Sequence, residues 1–344
     1  MNPRFWQAFL AADLDANKSR EFLANLGTFP DPLAAFISWP HLSAGHRRRI
    51  ELAPMERFEK ALKAGVEILE PPQFPPPLCD SDWHTPALFA WGNLDCLQQP
   101  KIGIVGTRSC TTYGKAAARK FAEFLAKNGV TVISGGALGI DAAAHDGALD
   151  ADGSTVAVLG HGIDHVYPTS HGPLFKRIRE KGCLLSQFAV GMPSMRENFL
   201  KRNQLIAALS DALLVVEAPQ RSGALSTATA AADLGREVFV VPGNITQFSF
   251  QGSHRLIREG ACLVDHPDQI FEAMGWAMKE SDAAKPQPVG SAASLLSHLT
   301  VQSISVEKLA IETGLDPADL LADLTMLEID GLVVRDSIGY ALRP

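Results

Sequence analysis

Four short segments of this chain pair glycine with groups that hold anions. Gly106-Thr107-Arg108-Ser109 follows the apolar run Ile102 to Val105, and Ser134-Gly135-Gly136 follows Val130 to Ile133. Gly160-His161-Gly162 follows Thr155 to Leu159, and Arg221-Ser222-Gly223 comes soon after Leu213 to Val216. Glycine lets backbone approach a ligand closely, free amides at helix starts favour anions, and arginine adds charge with a bidentate donor set. One such loop is an ordinary strand-to-helix turn. Four of them, two carrying arginine, describe a phosphate-binding rim. Lys201-Arg202-Asn203 adds charge just downstream of Phe199. Basic residues beside an aromatic suit a single nucleic-acid strand, because charge tracks the backbone and rings stack on bases. Phe199 could equally be a core residue.

Other chemistries fit less well. The glycines of Gly103-Ile104-Val105-Gly106 lie inside a strand, so there is no full GxGxxG, and no Walker lysine follows a glycine loop. Asp141 and His145 stand four apart on one helical face, the spacing of an acid/base pair or half a metal site. The simpler reading makes Asp141 a brace for the preceding loop and His145 a packing residue. No nucleophile–base–orienter set is present, and neither metal nor cofactor is expected. Arg47-Arg48-Arg49 reads as a solvated face or an auxiliary DNA contact, and Lys176, Arg177, Arg179 and Lys181 as the outer face of a helix.

The elements that must carry these loops are legible in the middle of the chain. Lys101 to Gly106, Val130 to Ile133, Thr155 to Leu159, Leu213 to Val216 and Val238 to Val241 are continuous apolar runs. Helical stretches separate them, among them YGKAAARKFAEFLAKNG and GIDAAAHDGAL. Strands buried on both faces and alternating with helices predict an α/β fold: a Rossmann-like parallel sheet with helices on both faces. Ligands of such sheets bind at the carboxyl ends of the strands, near the switch in strand order. Four segments are expected: a small all-α domain over 1–70, the Rossmann-like domain over 71–276, a linker over 277–292 and a small unit over 293–344. The run PPQFPPPL (Pro71 to Leu78) is expected to lack regular structure, since its prolines fix φ and lack amide donors.

The net charge is −7, so a nucleic-acid site must be a local basic patch on an acidic body. Five widely spaced cysteines without a CxxC pair predict reduced thiols and a cytoplasmic protein. No signal peptide is expected at the start, and no uncharged run reaches the roughly 18 residues of a membrane span.

Six blocks occur in the order and spacing of one family. They are IVGTRSCTTYG, ISGGALGIDAAAH, VAVLGHGIDHVYP, FLKRNQLIAALSDALLVVEA, SGALSTATAAADLGREVFVVPG and QGSHRLIREGA. Over about residues 70 to 265 the chain resembles the DprA/Smf family. The resemblance implies a non-enzymatic protein that binds single-stranded DNA and presents it to RecA during natural transformation. It also implies a homodimer joined through the Rossmann-like domain, a SAM or helix-hairpin-helix-like N-terminal domain and a winged-helix-like C-terminal one. The DNA site it implies comprises Gly106, Thr107, Arg108, Ser134, Gly135, Gly136, Lys201, Arg202, Asn203, Arg221, Ser222 and Gly223, with Phe199 for base stacking. Three positions depart from the family pattern: Gln187 where it has Glu, Gln204 where it has Arg, and Leu138 where it has Arg or a similar residue. These bear on how tightly DNA is held.

The alternative is a nucleotide-hydrolysing enzyme similar to the lysine-decarboxylase-like phosphoribohydrolases. Their PGGxGT loop has its nearest counterpart in Pro242-Gly243-Asn244-Ile245, which lacks the second glycine and the threonine. A third reading is a nucleotide-sensing module. The C-terminal unit is not expected to read DNA. Its second helix, from about Pro317 to Ile329, carries Asp319, Asp323 and Glu328 and no basic residue.

Overall fold

The computed structural model describes residues 2–79, 86–279, 295–300, 303–329, 332–336 and 339–342. The chain packs as two compact units, Met1–Met278 and Lys279–Pro344. Most of the expected linker, from 280 to 292, lies outside the described residues.

The first unit opens with α1 (Pro3–Ala12), α2 (Ala16–Ala24), α3 (Pro32–Ile37), α4 (Ala44–Glu51) and α5 (Met55–Lys63). Asn2, Asp15, Asp31 and Ser43 cap the first four of these, each accepting an amide of the first turn. Phe5, Trp6, Phe9, Phe22 and Phe36 close an aromatic core among them. Buried Gln7 ties α1 to the rest of the unit: its Nε2 donates to the Val190 carbonyl (2.9 Å), and the Val190 amide donates back to its Oε1 (3.0 Å).

The next elements alternate. They run β1 (Val66–Leu69), α6 (Pro76–Cys79), β2 (Leu88–Gly92), β3 (Lys101–Val105), α7 (Thr112–Lys127), β4 (Thr131–Ser134), α8 (Ile140–Asp150), β5 (Thr155–Leu159), α9 (Gly172–Lys181) and β6 (Cys183–Ser186). Then come α10 (Arg196–Leu209), β7 (Ala212–Val215), α11 (Gly223–Asp233), β8 (Glu237–Val240), α12 (Gln251–Arg258), β9 (Cys262–Leu263) and α13 (Asp268–Met274). One sheet takes the order β1-β2-β6-β5-β4-β3-β7-β8-β9. Pairing from β6 through β9 is parallel, whereas β2 runs antiparallel to both β1 and β6. The chain builds outward from β3 to β6, then α10 carries it back to β7 on the other side of β3. The switch in strand order therefore lies between β3 and β7.

Alternating residues of the central strands feed two cores. Val105, Ile133, Val158 and Val215 pack with α10 and α11 on one face. Ile102, Ile104, Val132 and Leu214 pack with α7 and α8 on the other. Each fully buried side chain of this kind contributes about 1.5–3 kcal/mol.

The run PPQFPPPL corrects the expectation of irregular structure. Pro71–Gln73 form a 3-10 turn and Pro76 opens α6. A missing amide costs nothing in a first helical turn, so prolines there start helices. Phe74 and Leu78 are buried in the sheet core, which makes the run part of the body of the unit. Cys96, Cys110, Cys183 and Cys262 are free thiols.

The second unit places α14 (Val306–Thr313) against α15 (Pro317–Ile329) and a hairpin of β10 (Val333–Arg335) and β11 (Tyr340–Leu342). Leu309, Leu320, Leu324, Val333 and Tyr340 form its core. Among the described residues of both units, no helix is long and apolar enough to cross a membrane.

Candidate nucleic-acid interface

The carboxyl ends of β3, β4, β5 and β7 open onto one cleft of about 880 Å³ at the switch point. The loop after β3 contributes Gly106, Thr107 and Arg108, and the loop after β7 contributes Pro219, Arg221 and Ser222. Helices add Arg196, Phe199, Leu200, Arg202 and Asn203 from the first two turns of α10 and Gly223 from α11, and the loops after β4 and β5 add Ala137 and Tyr167. The two switch-point loops are bonded together, because the Thr107 amide donates to the Glu217 carbonyl (2.8 Å). Ser222 caps α11 by accepting the Ala224 amide (3.1 Å). Asn203 Nδ2 donates to the Gly223 carbonyl (3.2 Å) and to Ser226 Oγ (3.3 Å), which fixes α10 against the start of α11.

Three arginines of the cleft are exposed: Arg108, Arg196 and Arg221. None of them forms an ion pair with a carboxylate among the described residues. Arg108 lies over the Phe199 ring, 5.2 Å from its centroid. Exposed cations without carboxylate partners, grouped on one cleft, attract a polyanion.

Arg202, expected among the DNA contacts, is placed differently from the other three arginines. It is 4% exposed. Its Nη1 donates to the Val158 carbonyl (3.3 Å) and lies 3.9 Å from Asp141 Oδ2. Burial lowers the Arg202 pKa, with Asp141 opposing and Arg108 adding to the shift. Burial raises the Asp141 pKa against the pull of Arg202. Gly135 makes room for this pair: a Cβ there would fall 1.3 Å from Arg202 Nη1. Asp141 also accepts the Ala137 amide (3.3 Å), so it braces the loop after β4 as the sequence suggested.

His145 is fully buried. Thr155 Oγ1 gives its proton to the Val132 carbonyl (2.7 Å), so His145 Nδ1 carries the hydrogen that reaches Thr155 (2.7 Å). His145 Nε2 has no hydrogen-bond partner among the described residues. Burial, then the neighbouring His171 and Arg202, lower its pKa to about 3. It is a neutral packing residue under the loop.

The remaining rim residues divide. Ser134 is buried and donates to the Ile104 carbonyl (2.6 Å), and the Gly136 carbonyl accepts from His171 (3.0 Å). Both serve the frame of the loop. Lys201 points away from the cleft and pairs with Asp13 of the N-terminal helices (2.7 Å). Arg196 and Tyr167 line the cleft without having been singled out in the sequence. Arg196 could have been found from its position three residues before Phe199, on the same helical face.

The family model for DNA recombination-mediator protein A matches residues 66–275, and that for the DprA winged helix domain matches 279–337. The DprA protein of Mycobacterium tuberculosis is 42% identical over 273 residues, which are 76% of this chain and 70% of the relative. Protein Smf of Escherichia coli is 36% identical over 282 residues, 78% of this chain and 74% of the relative. The crystal structure of DNA processing protein A from Streptococcus pneumoniae superposes with a TM-score of 0.62 at 30% identity, covering 78% of this chain and 92% of that one. DNA processing protein A of Helicobacter pylori, described for its single-stranded DNA binding mode, gives a TM-score of 0.56 at 29% identity over 61% of this chain and 95% of that one. From its sheet, its six sequence blocks and these relatives, the chain belongs to the DprA family of DNA recombination mediators.

Proposed function

We propose that this chain binds single-stranded DNA in the switch-point cleft, with little sequence preference, and hands the strand to a RecA-type recombinase. One observation carries the reading: Arg108, Arg196 and Arg221 converge on the cleft, exposed and without ion-pair partners among the described residues. The H. pylori relative, described for binding single-stranded DNA, supports it. Phosphate contact falls to these three arginines together with the loops Gly106–Thr107 and Ser222–Gly223. Arg202, Ser134, Gly135, Gly136 and Asn203 hold those loops, and Lys201 belongs to the junction with the N-terminal helices.

The finer points are part of the same proposal and rest on the family. They are the RecA partnership, the homodimer through the sheet-bearing domain, the role in natural transformation, a cytoplasmic location and the lack of catalysis. The boundaries at 70, 276 and 292 belong to it too. The reading as a phosphoribohydrolase is not favoured by the relatives. Gel-shift competition between single- and double-stranded oligonucleotides at moderate salt tests the proposal. Preference for the single strand is expected, and equal or tighter duplex binding would overturn it.

A further inference from the structure

The cleft is not lined by cations alone. Tyr167 is 44% exposed, and Leu200 at the start of α10 is 59% exposed; both line it. Leu138, 49% exposed, lines a small pocket that shares Arg108, Tyr167 and Phe199 with the cleft. A site for phosphate only would have no use for three exposed apolar side chains, and exposed apolar clusters beside polar groups mark binding surfaces.

Their place along the rim is defined by the sheet. Tyr167 follows β5 and Leu138 follows β4, whereas Arg108 follows β3 and Arg221 follows β7. The order β5-β4-β3-β7 puts the Tyr167 end and the Arg221 end three strand spacings apart, about 14 Å. Along β5-β4-β3-β7 the loops change from Tyr167 and Leu138 to Arg108 and Arg221, while α10 lays both Arg196 and Leu200 along the same cleft. A single strand likewise presents both kinds of group, with unpaired bases on one side and phosphates on the other.

Phe199, the aromatic expected from the sequence to stack, is already occupied. A Cβ on Gly160 would lie 2.8 Å from its ring, so the ring rests on that backbone. Arg108 and Arg202 stand 5.2 Å and 5.6 Å from its centroid, and the Tyr167 ring 5.9 Å. Phe199 and buried His161, 6.5 Å from the Tyr167 ring, buttress the tyrosine from within. The supported yet exposed ring is Tyr167.

We propose that Tyr167, flanked by Leu138 and Leu200, is the platform on which unpaired bases stack while the arginines hold the phosphates. The inference rests on the proposed single-strand binding and adds the base side of the site. It supplies a reason for strand selectivity, because a paired base shows only its edges and offers no face to the ring.

Fluorescence polarisation with two oligomers of equal length tests it, one of thymidylate and one of abasic deoxyribose phosphate. The full chain is compared with Tyr167→Ala and Tyr167→Phe. The parent and Tyr167→Phe are expected to prefer the thymidylate oligomer by about tenfold. Tyr167→Ala loses that preference and keeps its dependence on salt, since every phosphate-binding arginine is still in place. A Tyr167→Ala variant that still prefers thymidylate as the parent does overturns the platform while leaving single-strand binding intact. A parent that binds neither oligomer overturns the proposed function, and the platform with it.

Discussion

The Arg202 guanidinium lies 3.9 Å from the Asp141 carboxylate, with both side chains almost sealed from solvent under the loop that follows β4. A buried pair of this kind contributes little over an apolar pair, but removing one partner strands a charge. Arg202→Ala is therefore expected to lower unfolding stability by about 3–5 kcal/mol. Urea denaturation checks this, and an unchanged midpoint would show that the pair does not brace the loop. Weaker DNA binding by the variant would follow from the loosened loop, since Arg202 is buried and engaged with Val158 and Asp141.

Gly135→Ala acts on the same pair from the other side. The added methyl would lie 1.3 Å from Arg202 Nη1, so the guanidinium must leave its place beside the Val158 carbonyl and Asp141. A loss of about 1–3 kcal/mol is expected for such overpacking. The double variant with Arg202→Ala should be less destabilised than the sum of the two, because the clash partner is gone. Strict additivity would contradict the contact.

His145 gives the fold an acid-sensitive point. Its pKa is about 3 when folded, against 6.5 for a free histidine. The unfolded chain therefore binds a proton between these values that the folded chain does not. The stability is fully present above pH 6.5 and declines as pH falls toward 3, by up to about 1.4 kcal/mol per pH unit. His145→Gln removes this titration. Its stability between pH 7 and 4.5 should fall less steeply than the parent's in urea unfolding curves; parallel curves would refute the assignment.

The acidic character of α15 leads to a prediction about the second unit. From Pro288 to Pro344 there are three basic residues (Lys308, Arg335, Arg343) and eight acidic ones (Glu307, Glu312, Asp316, Asp319, Asp323, Glu328, Asp330, Asp336), a net of −5. Such a unit repels phosphates at groove-reading distances. Truncation near Lys285 should leave single-strand affinity within a few fold. Loss of most binding by a truncated chain with an intact circular dichroism spectrum would give the unit a direct role in holding DNA.

Much of this was legible in the sequence, and the gaps have physical reasons. Strands β3 and β5 are continuous apolar runs and helices α7 and α15 follow as helical stretches, so their placement follows from pattern. Strands β1, β2 and β6 are four or five residues long, and the first two pair antiparallel at one side of the sheet, outside the βαβ alternation. Strands β4 and β7 are just as short, but they stand in the alternation with helices that β1 and β2 lack. Lys201 and Arg202 read as one basic patch, but consecutive helical residues diverge by about 100°. One turns to Asp13 and the other into the core. A side chain's burial depends on which face the helix presents, and that is decided by the packing of α10 across the sheet. The loops at β3 and β7 were legible as a pair because glycine, arginine and helix start coincide there.

The central claim is that three arginines at the switch point hold a single strand by its phosphates. Its most direct test is the salt dependence of single-strand affinity, measured by fluorescence anisotropy for the parent and for the Arg108→Ala/Arg196→Ala/Arg221→Ala variant. All three side chains are exposed, so the variant is expected to melt like the parent. Without these three cations the log–log slope should fall by about 2, from roughly 0.7 per phosphate neutralised on a single strand. A triple variant that binds as tightly as the parent, with the same slope, would place the DNA elsewhere on the molecule and contradict the account.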